Sequence, residues 1–184
     1  MVEEFTRGRT IIRYIRHLFA FHYGILARVN TENVLDSLVI DFDIDDAVHC
    51  YTLRDFLFGE TVFWLATWEN EPQQILDSMR PPEEIVKTAL ELMFDRAKGG
   101  TEMQIYSLID NNCEHFVRRC TFRHPDAQIS RQIDRIAADS RHAWFRMGFL
   151  ALTNTLASEK IRKLGGPRNT NPPHAIRLNL SDFQ

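Results

Sequence analysis

A pair of prolines, Pro81-Pro82, divides the chain into two stretches of different character. Upstream, residues Thr10 to Ile44 are rich in β-branched and aromatic side chains and break into apolar runs at Ile11–Ile15, Phe19–Val29 and Val34–Ile44. The polar Asn30–Asn33 between two of these runs reads as a hairpin connection. Thr61–Thr67 predicts a further strand, while Leu53–Phe58 reads as either a strand or a helical turn. Together these segments predict a small antiparallel sheet.

Downstream, Pro82 followed by Glu83 and Glu84 suits a helix start, because proline tolerates the first turn and acids favour the positive end of the dipole. Ile85, Ala89, Leu92 and Met93 recur at helical spacing until Gly99-Gly100 stops the pattern. A short apolar stretch, Ile105–Ile109, leads to Asn111-Asn112, which can cap a second helix over Cys113–Phe122. Gln128–Lys163 reads as a long helical stretch broken near Gly148, and the turn-forming tail beyond Gly165-Gly166 is expected to be mobile or extended. Strands first and helices after them give an α+β domain. It is expected to span residues 1–165, with a core over about 5–132, a helical extension over 128–163 and a mobile tail over 166–184.

Bulk properties narrow the function. A net charge of -3 argues against general affinity for nucleic acid. Three cysteines, Cys50, Cys113 and Cys120, are too few and too odd in number for a disulfide framework. The first ten residues carry no apolar core of a secretory signal, so a reducing, cytoplasmic setting is expected, in which a thiol stays free for chemistry. No run of about 18 apolar residues exists. The nearest approach, Ala143–Ala157, is interrupted by Arg146, Thr153, Asn154 and Thr155.

The stretch Asn111–Cys120, NNCEHFVRRC, is the most informative for chemistry. A cysteine in the first turn of a helix meets unsatisfied N–H groups and the positive dipole end, and both favour the thiolate nucleophile. Backbone N–H groups at the same helix end are placed to cradle an oxyanion. A thiolate of this kind needs a base, normally a histidine brought from elsewhere in the fold. A buried structural cysteine reads the same way locally.

The string Asn112–Phe116, NCEHF, resembles the signature of the lecithin:retinol acyltransferase family, relatives of the NlpC-type cysteine peptidases with a permuted chain order. The resemblance extends upstream over Pro81–Ala89, Gly99-Gly100 and Tyr106–Leu108, and downstream to Cys120 and Ser130–Gln132. It implies a permuted papain-like fold with an antiparallel sheet packed against helices. It also implies a base histidine ahead of the cysteine, at the start of a strand. Phe21–Leu26 reads FHYGIL, so the resemblance puts His22 at that position. The family commonly orients this imidazole with a second histidine on the next strand. Here the matching run, Leu38–Asp43, reads LVIDFD and offers Asp41 instead. A carboxylate can hold the far ring nitrogen and stabilise the imidazolium equally well. Asp43 lies on the same strand face and is the second candidate, and both also read as exposed strand-end acids.

Other residues are weaker candidates. His115 lies two residues after Cys113, so on a helix it points away and is expected to be structural. Glu114 reads as a helix-start acid. His49 and Cys50 form an adjacent pair, but no second ligand pair has suitable spacing, so no metal site is expected. Arg118, Arg119 and Arg123 form a basic cluster that reads either as a solvated helix face or as a partner for lipid phosphates. Aromatic and basic residues within Gln128–Lys163, including Trp144, Phe145 and Arg146, suit either a core-packing helix or peripheral membrane contact.

The expected chemistry is therefore thiol acyl transfer without a cofactor. Cys113 attacks an acyl carbonyl, His22 handles the proton, and a thioester intermediate passes the acyl group to water, an amine or an alcohol. The resemblance implies a glycerophospholipid donor and phospholipase or acyltransferase activity. A cysteine peptidase or amidase, a protein-lysine fatty acyltransferase and a non-catalytic binding domain are the alternatives.

Overall fold

The computed structural model describes residues 3–15, 20–45, 47–100, 112–124, 172 and 174–183. Its centre is a six-stranded antiparallel sheet. The strands are β1 (Thr10–Ile15), β2 (Ala20–Arg28), β3 (Leu38–Phe42), β4 (Val48–Thr52), β5 (Val62–Ala66) and β6 (Ala175–Asn179). Their spatial order is β4-β3-β2-β1-β5-β6. Four helices accompany the sheet among the described residues: α1 (Leu53–Leu57), α2 (Gln73–Leu76), α3 (Pro82–Ala97) and α4 (Cys113–Thr121). The architecture is α+β.

Both faces of the sheet are covered. Ile12, Phe21, Tyr23, Ile25, Ile40, Phe42 and Trp64 form one core with Ile85, Val86, Ala89 and Leu92 of α3 and Phe116, Val117 and Cys120 of α4. Ile11, Leu26, Val39, Phe63 and Leu65 form a second core with Phe5, Leu178 and the α1 residues Leu53, Phe56 and Leu57. Double burial explains why the strands read as continuous apolar runs instead of alternating ones.

α3 starts at Pro82 with Glu83 and Glu84 in its first turn. Gly99, at φ 78°, follows its end in the left-handed region that glycine adopts without strain. The ambiguous Leu53–Phe58 segment is helical: Thr52 Oγ1 accepts from the Asp55 N–H, and Phe58 ends the helix in the left-handed conformation.

Asn30–Asn33 lies, as expected, in the connection between the antiparallel neighbours β2 and β3. Within it Asn30 Oδ1 accepts from the N–H groups of Glu32 and Asn33, and Asn33 then caps a 3₁₀ turn over Val34–Asp36. These side-chain bonds compete with strand pairing, so β3 begins only at Leu38. The tail expected to be mobile supplies β6, paired in register with β5 from Val62↔Asn179 to Ala66↔Ala175. Leu178 is buried in the second core, and β6 covers an edge that β5 would otherwise leave open. The stretches Ile105–Ile109, Gln128–Lys163 and Gly165-Gly166 lie outside the described residues.

Candidate active site

The NCEHF motif builds the start of α4. Asn112 Oδ1 accepts from the N–H groups of Glu114, at 2.9 Å, and His115, at 3.2 Å. His115 Nδ1 in return accepts the Asn112 N–H at 3.3 Å, closing a capping box. His115 is thus a helix-start residue, as its distance from Cys113 in sequence suggested. Phe116 and Cys120 point into the core, and burial pushes the Cys120 thiol far above its ordinary range. Glu114 lies in the first turn as expected, and it is buried.

Cys113 is the first residue of α4 and is buried, with its sulfur 4.0 Å from the main-chain carbonyl oxygen of Phe21. The next residue on β2 is His22. Its Nε2 lies 2.5 Å from Asp41 Oδ2, and both side chains are almost fully removed from solvent. The β2–β3 ladder begins at Gly24↔Asp41, so His22 lies just beyond its end, where α4 approaches β2. There the imidazole is held by Asp41 of β3 while remaining next to the thiol of α4. Its ring also stacks on Phe56 of α1, with centroids 5.6 Å apart.

The electrostatics follow. Burial alone would lower the His22 pKa, but the Cys113 charge, the Asp41 hydrogen bond, hydrogen bonding to Cys113 and the Asp41 charge outweigh it and raise the pKa to about 10. The imidazole is therefore charged at neutral pH. With Nε2 committed to Asp41, Nδ1 is the nitrogen left for the sulfur.

The two acidic candidates separate by geometry. Asp41 is buried against His22, whereas Asp43 Oδ1 accepts the Ile44 N–H in the β3–β4 turn. Tyr51 of β4, which the sequence reading did not single out, donates its O–H to Asp41 Oδ2. Burial, together with the Asp41 charge, pushes the Tyr51 phenol well above its ordinary range. Strand alternation carries the signal, since Val39↔Tyr51 and Asp41↔His49 put Tyr51 on the Asp41 face once β3 and β4 are paired.

Gly24, the small residue of FHYGIL, faces Asp41 across the ladder. A Cβ there would stand 2.6 Å from Val39 Cγ1 and 3.1 Å from Phe56 Cε2, so close packing demands glycine.

The basic cluster needs correction. Arg118 is buried and forms a bidentate pair with Glu71 at 2.9 and 3.0 Å, with its guanidinium 5.4 Å from the rings of both Trp68 and Phe122. It is neither a solvated face nor open to a phosphate. Arg123 is exposed and pairs with Glu84 at 2.7 Å. His49 bonds Asp45. No group of three or more His, Cys, Asp and Glu is placed to hold a metal ion among the described residues.

A family model described as lecithin retinol acyltransferase matches residues 10–125, well over half of the 184-residue chain. The chain belongs to the lecithin retinol acyltransferase family. Membership carries an activity of broadly acyltransferase or phospholipase type. The match runs from the start of β1 to just past α4 and so takes in His22, Asp41 and Cys113. No curated protein and no solved structure matches the chain. Among the described residues of this family member, no helix is long and apolar enough to cross a membrane.

Proposed function

We propose that this lecithin retinol acyltransferase family member is a cysteine-dependent acyltransferase or phospholipase. It takes an acyl group, most naturally from a glycerophospholipid, onto Cys113 as a thioester. The observation that carries the reading is the convergence of three buried groups: the Cys113 sulfur beside β2, the His22 imidazole and the Asp41 carboxylate 2.5 Å from it. A histidine strand preceding a cysteine helix, both packed on an antiparallel sheet, also supports a permuted papain-like arrangement of the NlpC type.

In the resting site His22 holds a proton beside Cys113, and the nucleophile is the thiolate form of Cys113. The thiolate attacks the acyl carbonyl, and the carbonyl electrons move to oxygen. The Glu114 and His115 N–H groups go to Asn112 Oδ1, and that of Phe116 goes to the Asn112 carbonyl. The N–H of Cys113 is therefore the first-turn donor left for the oxyanion. Collapse expels the glycerol oxygen, which takes the His22 proton.

Once the sulfur is acylated, its charge no longer raises the His22 pKa. The neutral imidazole then accepts a proton from water, an alcohol or an amine as that group attacks the thioester, and the thiolate is restored.

Intact mass after incubation with phosphatidylcholine vesicles tests this. A fatty-acyl increment on the native chain, absent in Cys113→Ala and reduced in His22→Ala, is expected. Neither an adduct nor free fatty acid would overturn the phospholipid reading. Rapid alkylation of Cys113 by iodoacetamide in that case would direct the search to peptide or protein acyl substrates.

A further inference from the structure

Two donors converge on one oxygen of Asp41. His22 Nε2 lies 2.5 Å from Oδ2 and the Tyr51 hydroxyl donates to the same atom, while Oδ1 is buried with no hydrogen-bond partner among the described residues. The Tyr51 ring packs near two others, 6.1 Å from His49 and 6.5 Å from Phe56. Its hydroxyl is therefore aimed by packing and not by the carboxylate alone.

The charged and titratable groups around His22 come from four strands and helices. β1 brings Arg13, the direct register partner of His22. β3 brings Asp41, with Asp43 just beyond it, β4 brings Tyr51 with His49 stacked on it, and α4 brings Cys113. α1 contributes the ring of Phe56, and the buried positions of α3 are apolar. Of these groups, only Tyr51 shares the oxygen that holds the imidazole.

A hydroxyl bond to a carboxylate is stronger when the carboxylate is not already neutralised by a neighbouring cation. The Tyr51 bond therefore stabilises Asp41 more when His22 is neutral than when it is charged. It shifts the imidazole toward giving up its proton.

Resting on the thioester reading, we propose that Tyr51 is a positioning residue. By sharing Asp41 Oδ2 it fixes the carboxylate and loosens the proton held on His22, speeding the transfer of the acyl group to the acceptor. In that step the acceptor's O–H or N–H proton passes to His22 Nδ1. The acceptor's lone pair forms a bond to the thioester carbonyl carbon, the C–S bond breaks, and its electrons return to Cys113 as thiolate.

Tyr51→Phe removes the hydroxyl and keeps the ring. In Cys113→Ala, whose uncharged side chain imitates the acylated sulfur, the His22 imidazole is titrated by NMR with and without Tyr51→Phe. The added substitution is expected to raise the midpoint by about 0.5–1 pH unit. An equal or lower midpoint overturns the proposal, and this arm holds whatever the substrate is. The same comparison with Asp41→Asn added should show no shift, and a persisting shift overturns the route through Asp41. With dioctanoyl phosphatidylcholine, Tyr51→Phe should form the acyl-enzyme at the native rate and lose it roughly three- to tenfold more slowly at pH values below the His22 midpoint read by NMR. Native deacylation in the variant overturns the proposal, whereas absence of any acyl-enzyme in the native chain overturns the thioester reading instead.

Discussion

Replacing Asp41 by Asn keeps the size of the side chain and removes its charge from a site where nothing but protein can compensate. In the native chain Asp41 raises the His22 pKa by both a hydrogen bond and charge, against a burial effect that lowers it. An opposite charge at this separation shifts a pKa by about 1–3 units, which corresponds to about 1.4–4 kcal/mol on the protonated imidazole. Asp41→Asn should therefore bring the His22 midpoint down from about 10 by that amount. Because the folded value is raised, the stability His22 contributes is fully present below its unfolded value of about 6.5. It is lost as the pH rises through about 10. In the variant that loss should be complete at a lower pH.

Two measurements read the effect directly. The first follows the His22 ring by NMR across pH 5 to 11, and the second follows Cys113 alkylation by iodoacetamide at pH 7. Weakening the ion pair by 1–3 units should slow alkylation by about tenfold or more. A midpoint still near 10 with native alkylation would show that Cys113 alone holds the proton and that Asp41 is a packing residue.

Other perturbations act on the packing around this site. Asn112→Ala strips the N-cap from the helix that carries Cys113 and should destabilise the fold by about 1–2 kcal/mol in urea titration, with slower thiol alkylation. Gly24→Ala places a methyl group against Val39 and Phe56 and should cost about 1–3 kcal/mol by the same assay. Arg118→Ala leaves Glu71 charged in a buried setting and should cost about 3–5 kcal/mol, whereas Arg118→Met with Glu71→Leu should recover most of that in thermal melts.

Much of this site was legible because its sequence cues are local. Asn112, Cys113 and His115 declare a capped helix start within four residues, and the capping box realises it. Proline and two acids declare the start of α3 in the same way. His22 and Asp41 were legible only through resemblance, since nothing within FHYGIL or LVIDFD says that the two strands pair. Tyr51 was hidden for that reason: its role depends on a third strand and on a register that the sequence does not state. β6 was missed because composition speaks for the turn-rich approach to it and not for the five residues that complete the sheet. Arg118 was misread because its partner Glu71 lies 47 positions away and, of the two rings that cover it, Trp68 comes from the same distant segment as Glu71 while only Phe122 is near in sequence. Solvated and buried arginines look alike until those segments meet.

The resemblance to the family implies a second histidine where this chain has Asp41, and a carboxylate there changes the charge balance of the proposed site. A thiolate, an imidazolium and a neutral histidine sum to zero, but a thiolate, an imidazolium and a carboxylate leave one negative charge in a region almost without solvent. Such a charge is tolerated only where donors or a cation accompany it. Tyr51 supplies the donor on Oδ2. Arg13 supplies the cation: it stands opposite His22 in the β1–β2 register, its guanidinium lies 5.6 Å from the Phe56 ring on which His22 stacks, and its charge acts on Tyr51. Arg13 makes no ion pair with a carboxylate among the described residues. In the proposed reading, the thiolate, imidazolium and carboxylate forms of Cys113, His22 and Asp41 and the Arg13 guanidinium sum to zero across β1, β2, β3 and α4. A carboxylate at this place in the proposed site is balanced by a donor on β4, the neighbour of β3, and by a cation on β1, beyond β2.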